Sequence, residues 1–206
     1  MALSVNEVKE VKQAPPVDGV LPVILERWSA RSYAERAVPS TEIEKLFAAV
    51  RWTASARNEQ PWRFVVGYRG SEAYSKMVDV MMDFTRPWAS TAPVLILGLA
   101  KKQYSHDGSP NRFHLYDLGA AATTIMLQAT WQGLSVRTLA SFYGDKLRQS
   151  LGIPEDYAVG PILALGYQGD PAALPSAEMV AMETSSRDRK PLQEFVYSSW
   201  GKPMEF

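Results

Sequence analysis

Three short segments hold most of the side chains equipped for chemistry. "ERWSARSY" sets Arg27, Ser29 and Arg31 at alternating positions. Far downstream, "SSRDRKPL" repeats the alternation with Arg187 and Arg189, ahead of Pro191. Between them, "WTASARNEQPWRF" gathers Ser55, Asn58 and Gln60 just before Pro61 and Trp62. A guanidinium presents a planar fork of donors suited to phosphate oxygens, and a serine adds a hydroxyl donor. Two such clusters, one near each end of the chain, can converge on a single phosphate. The same arginines can also form surface ion pairs with Glu26, Glu35 or Asp188. Amides that both donate and accept suit a flat ligand with a mixed polar edge. A solvated connecting loop has the same composition, so both readings stand at this level.

Other chemistry is excluded by what the chain lacks. It has no cysteine among 206 residues, which removes disulfides, thiolate nucleophiles and cysteine metal sites and fits a cytoplasmic protein. The two histidines, His106 and His114, lie in or beside one polar loop with no metal-ligand spacing around them. No HExxH, GxSxG, P-loop or strand-linked GxGxxG occurs. An enzyme built from these residues would leave the difficult step to a bound cofactor. Lys+Arg and Asp+Glu are both 22, so the formal charge is zero and nothing favours nucleic acid as partner. The start of the chain lacks the apolar run of a secretory signal. The longest apolar stretch, Leu115 to Leu134, contains Asp117, Gln128 and Gln132, which are costly in lipid; it reads as a buried helix rather than a membrane span.

The elements that must position these residues follow from periodicity. Residues 1–19 read as a weakly ordered N-terminal arm closed by "APPVDG", and residues 20–206 as one domain that ends in an arm from about 170. "VLPVILERWSA" gives a short helix reaching about Arg27. In "VPSTEIEKLFAAVRW", Ile43, Leu46, Phe47 and Val50 mark an amphipathic helix, with Thr41 and Glu44 as its expected capping box. "RFVVGY", "PVLILGLA", "LSVRTLAS" and "VGPILALGYQ" are strands; "SEAYSKMVDVMMDF", the 115–132 stretch and "GDKLRQSLG" are helices. The order is not a strict βαβ alternation, so the fold class is α+β rather than doubly wound. The 115–132 helix is apolar nearly all round. One small subunit can hardly cover every side of it, which predicts a homodimer with this helix near the interface. The polar segment Lys102–Phe113, with Tyr104 and Phe113, is long enough to be a lid or simply a solvated loop.

Together, "RWSARSYAERAVPSTEIEKLFAAVRWTASARNEQPWRF", "DLGAAATTIMLQATWQGL", "LRQSLGIPEDYAVGPILALGYQGDP" and "RDRKPLQEFVYSSWG" resemble the nitroreductase family of FMN-dependent oxidoreductases. The likeness covers roughly residues 20–201 and rests on the order and spacing of these motifs. It implies a central, mainly antiparallel sheet flanked by helices. It also implies an intertwined homodimer with FMN at each interface and NAD(P)H as reductant. By position, Arg27, Ser29 and Arg189 would hold the FMN phosphate, with Trp28 contributing backbone and Arg187 as a weaker phosphate ligand. Arg31 would face the N1/O2 edge of the flavin. Ser55, Asn58 and Gln60 would come from the opposite subunit to line the ribityl chain and ring edge. Trp62 belongs to the core instead, as the start of a strand.

The chain departs from the family after "GLSVRT", where many relatives carry a glycine-rich flavin contact. Here the segment reads "LASFYG", leaving Leu139, Ala140 and Ser141 to present backbone, with one hydroxyl. The resemblance implies ping-pong turnover: NAD(P)H reduces the flavin and leaves, and a nitroaromatic, quinone or related electron-poor acceptor then takes its place. No side chain is required as nucleophile. Other readings are an oxygen-using or dehalogenating relative, a non-catalytic flavin-binding dimer, and a structural dimer whose arginines only form ion pairs.

Overall fold

The computed structural model describes residues 3–205. At its centre is a four-stranded sheet made of β1 (Trp62–Tyr68), β2 (Val94–Lys101), β3 (Ser135–Leu139) and β4 (Tyr157–Gly166). The strands run in the order β1-β2-β4-β3, and every pairing is antiparallel. β2 is buried along nearly its whole length, as its unbroken apolar run requires for a central strand with both faces covered.

One face carries α3 (Ser40–Val50) and α6 (His114–Trp131). Leu46 of α3 and Leu118 and Ile125 of α6 pack onto Ile96 and Leu163 of the sheet. The other face carries α4 (Glu72–Asp79), α5 (Arg86–Ala89) and α7 (Gly144–Leu151), whose Met77, Trp88 and Leu147 meet Leu95, Leu97 and Ile162. Each fully buried Leu or Ile contributes about 1.5–3 kcal/mol. The expected α+β class, with an antiparallel sheet between helices, is the observed one.

Several local expectations need correction. The N-terminal arm contains a helix, α1 (Val5–Lys12), started by a Ser4–Glu7 capping box and anchored through the buried Val8. α3 has no Thr41–Glu44 box. It begins at Ser40 behind Pro39, whose carbonyl accepts the Glu42 and Ile43 N–H groups, so Thr41 already lies inside the helix. The "SEAYSKMVDVMMDF" helix ends at Asp79, because Met81 leaves it to form a bridge with Phe142. The short helix expected before Arg27 is present, as α2 (Pro22–Glu26). The C-terminal arm holds a further helix, α8 (Ala177–Thr184), and a small hairpin of β5 (Tyr197–Ser199) and β6 (Lys202–Pro203).

α6 buries only one side. Leu118, Ala121, Ala122, Ile125 and Ala129 face inward, whereas Tyr116 is 77% and Trp131 75% exposed. On the C-terminal hairpin, Trp200 is 96% exposed. None of the helices of the described residues is long and apolar enough to cross a membrane.

Candidate functional site

The Arg27–Ser32 segment follows α2 and runs extended beside the end of β4. Tyr33 pairs with Gln168, and the Gly169 N–H donates to the Ser32 carbonyl at 3.0 Å. A Cβ at Gly169 would lie 2.5 Å from the Tyr33 carbonyl carbon, so this approach requires glycine. Distant residues fix the segment from both sides. The Arg31 N–H donates to both oxygens of Glu183 at 3.0 Å, the Ser32 N–H to one at 3.1 Å, and Gln168 Nε2 to the same oxygen at 3.1 Å. Glu183, on α8, is fully buried. Arg187 Nη1 donates to the Arg27 carbonyl at 2.6 Å and Nη2 to the Leu25 carbonyl. From β3, Arg137 Nη1 donates to the Ser29 carbonyl at 2.8 Å.

These contacts bring both arginine clusters together. Arg27, Arg187 and Arg189 line a cleft of about 700 Å³ whose walls include Gln13, Ile24 and Leu25. Arg27 Nη1 reaches Ser29 Oγ at 3.4 Å. On the other side of Ser29, Arg31 and Arg137 line a second cleft of about 270 Å³ with Trp88, Leu139, Ala140 and Ser141. Among the described residues, no carboxylate comes within ion-pair reach of Arg27, Arg31, Arg137, Arg187 or Arg189. Within the subunit, then, these arginines do not form the ion pairs with Glu26, Glu35 or Asp188 that their sequence neighbours offered. Burial, and then the Arg187 and Arg189 charges, hold the Arg27 guanidinium below its ordinary value. Burial, and then Arg31, do the same to Arg137. Arg187 Nε is buried with no acceptor. Like charges gathered at a partly buried surface, with an orphaned donor among them, are the features of an anion site. A phosphate in the larger cleft would supply the missing countercharge.

Arg187 spends its terminal nitrogens on backbone carbonyls, so its principal work is to hold Arg27. Trp28 turns away from both clefts: its ring stacks under Lys12 Nζ at 5.1 Å and lines a separate recess with Gln13 and Thr130. The backbone of Trp28 alone stays with the arginines.

The Ser55–Gln60 segment lies elsewhere. It enters β1, at the opposite sheet edge from β3, with two strands between them. Three inter-strand spacings amount to about 14 Å. No hydrogen bond or ion pair joins it to the arginine groups among the described residues. Its own geometry is tight. Arg57, Asn58 and Gln60 all have positive φ (54°, 55° and 50°), a conformation that disfavours L-residues other than Asn and Asp. Ser55 Oγ accepts the Gln60 N–H at 2.9 Å, and Gln60 Nε2 donates to the Asn58 carbonyl at 3.1 Å. Asp117, buried on α6, accepts the Ala56 N–H at 3.2 Å. Burial raises the Asp117 carboxyl above its ordinary value. Trp62 sits in the core, as expected.

The Lys102–Phe113 segment folds into a small hairpin against this turn. Tyr104 N–H donates to the Ser109 carbonyl at 2.8 Å, Ser105 N–H donates to Glu59 at 2.9 Å, and Arg57 lies 4.8 Å over the Tyr104 ring. His106 contacts Asp107 at 3.1 Å, and His114 contacts the Asn111 carbonyl at 2.7 Å. Among the described residues, no group of His, Asp and Glu could hold a metal ion.

Arg137, Glu183 and Asp117 were not among the expected site residues. A charge in the middle of the "SVRTL" strand pattern is the one signal that pointed to Arg137. Nothing local marks Glu183.

Comparison with known proteins agrees with this architecture. Residues 24–167 match the model of the nitroreductase family. An Archaeoglobus fulgidus protein, provisionally named NADH dehydrogenase/NAD(P)H nitroreductase, is 33% identical over 155 residues, 73% of this chain and 86% of the relative. A Methanothermobacter thermautotrophicus protein of the same provisional name is 30% identical over 175 residues, 79% of this chain and 87% of the relative. A crystal structure described as an oxidoreductase containing FMN superposes with a TM-score of 0.83 at 29% identity and covers 99% of this chain and 100% of its own. The chain belongs to the nitroreductase family of oxidoreductases.

Proposed function

We propose that the protein is an FMN-dependent oxidoreductase that uses NAD(P)H to reduce nitroaromatic, quinone or related electron-poor acceptors, working as a homodimer. The observation that carries this reading is the run of guanidinium groups without carboxylate partners. It passes from the larger cleft, past Ser29, into the smaller one. Such a site suits a molecule with a phosphate at one end and a flat, electron-accepting ring at the other. The names of the archaeal relatives support NAD(P)H as reductant.

In this reading Arg27, Ser29 and Arg189 hold the phosphate, and Arg187 keeps Arg27 in place through its carbonyl. Trp28 contributes backbone only. Arg31 supplies positive charge at the ring end, where the backbone of Leu139, Ala140 and Ser141 forms the floor of the cleft. Ser55, Asn58 and Gln60 complete the enclosure from the partner subunit, because in one subunit they occupy the opposite sheet edge. The exposed Tyr116 and Trp131 of α6 and Trp200 of the hairpin would be covered by the same association. Bound FMN would supply the redox chemistry, alternately reduced by NAD(P)H and oxidised by the acceptor. The protein's own work is to orient the ring, limit the access of water to the partly buried guanidiniums and stabilise negative charge.

Absorbance of the purified protein tests this reading. The expected result is flavin bands that bleach under anaerobic NADH or NADPH and return when a quinone or nitroaromatic is added. Colourless protein that stays colourless after incubation with FMN would refute it. Retained FMN that neither nicotinamide bleaches would point instead to a flavin-binding dimer without turnover.

A further inference from the structure

Arg137 stands apart from the other cations of the site. It lies on β3 between Val136, which faces the α6 core, and Thr138, so strand alternation sends its side chain to the opposite face with Leu139 and Trp88. There its guanidinium lies 5.3 Å from the Trp88 ring centre, half-buried, and donates to the Ser29 carbonyl at 2.8 Å. It shares the smaller cleft with Arg31, Leu139, Ala140 and Ser141. Two carboxylates are near. Glu183 is committed to the Arg31 and Ser32 N–H groups and Gln168, and Glu178 is exposed at the cleft mouth. Neither pairs with Arg137 among the described residues. The bond to the Ser29 carbonyl calls for an N–H donor, not for a charge. The positive charge is therefore surplus to the fold, and its partial burial limits the screening of its field.

We propose that Arg137 is a redox-tuning residue whose charge, added to that of Arg31, favours the reduced, anionic state of the bound flavin. The inference rests on the FMN reading above. The oxidised ring is neutral. It gains two electrons and one proton from NADH or NADPH, which become NAD⁺ or NADP⁺, and so acquires one negative charge near neutral pH. Passing those electrons and that proton to the acceptor, with a second proton from solvent, restores the neutral ring. A fixed cation at the ring end stabilises only the charged state, and so raises the two-electron potential.

The experiment compares wild type with Arg137→Gln, which keeps a donor for Ser29 without the charge, and Arg137→Lys, which keeps the charge. Each holoprotein is equilibrated with a redox dye of known potential, and the ratio of reduced to oxidised flavin is read from absorbance. The Gln variant should retain FMN and favour the reduced state about tenfold less, a fall of ~30 mV for a two-electron couple. The Lys variant should stay near wild type. Unchanged potential in the Gln variant overturns the inference. Equal falls in both variants also overturn it, since Arg137 would then act only by shaping the backbone at Ser29. Loss of FMN from both variants, with wild type still yellow, assigns Arg137 to retention rather than tuning and overturns it too. Colourless wild type fails the FMN reading itself, a separate outcome.

Discussion

The Arg27–Ser32 segment and the Ser55–Gln60 turn are both polar, both precede apolar structure, and are held in opposite ways. The first is extended and owes its position to residues more than 100 positions away: Arg137, Glu183 and Arg187. The second is fixed from within by three positive-φ residues and a Ser55–Gln60 bond, with Asp117 as its principal long-range anchor. A wall built from distant contacts is sensitive to the C-terminal arm. A wall built locally carries its strain with it. In the proposed dimer, each flavin would lie between one wall of each kind.

Breaking the distant anchorage should have the largest effect. Glu183→Ala leaves three donors without their acceptor, at about 1–3 kcal/mol each. A loss of roughly 3–5 kcal/mol in urea unfolding is expected, with release of FMN, while Glu183→Gln recovers much of it. If the Ala variant stays as stable as wild type, the distant contacts are not what hold the first wall. Next in size is Arg27→Ala. A charged phosphate contact contributes about 1.5–3 kcal/mol, so FMN should bind about 10- to 150-fold more weakly by fluorescence titration. Unchanged affinity removes Arg27 from the phosphate site.

The local wall predicts smaller changes. At Arg57, φ of 54° favours a residue without Cβ, so Arg57→Gly should be more stable than Arg57→Ala by about 1 kcal/mol in thermal unfolding. Equal stabilities would mean that the turn relaxes. The smallest effect should come from Asp117→Asn. Because burial raises the Asp117 carboxyl, its protonated form is favoured by folding, and its contribution declines as the pH rises through that raised value. The Asn variant should therefore gain on wild type as the pH rises through the raised carboxyl value. A difference that does not change with pH would argue against a raised carboxyl.

The contrast also explains what could be read from the chain. The helix α3 was legible by its apolar period, β2 by an unbroken apolar run bounded by polar or turn residues, and α6 by a long stretch that is apolar nearly all round. The polar turn was legible as a unit because Ser55, Asn58 and Gln60 act locally. α1 was overlooked although Ser4 and Glu7 carry the S-x-x-E signature, because its apolar side is narrow and only Val8 among its hydrophobic residues is deeply buried. The Thr41–Glu44 box failed because Pro39 starts α3 two residues early. Glu183 could not be read at all: its role depends on two N–H groups 151 and 152 positions away, and no local pattern encodes such a meeting. Arg187 was legible as a cation but not as a clasp on the Leu25 and Arg27 carbonyls, for the same reason.

The central claim, that each flavin is enclosed by one distant-built wall and one local wall from different subunits, is tested most directly by mixed dimers of Arg27→Ala and Asn58→Ala. If the walls come from different chains, each heterodimer pairs the two defects in one site and leaves the other intact. Titration should then reveal one site of wild-type FMN affinity per heterodimer. Heterodimers with two weakened sites and none at wild-type affinity would place both walls in the same subunit and contradict the account.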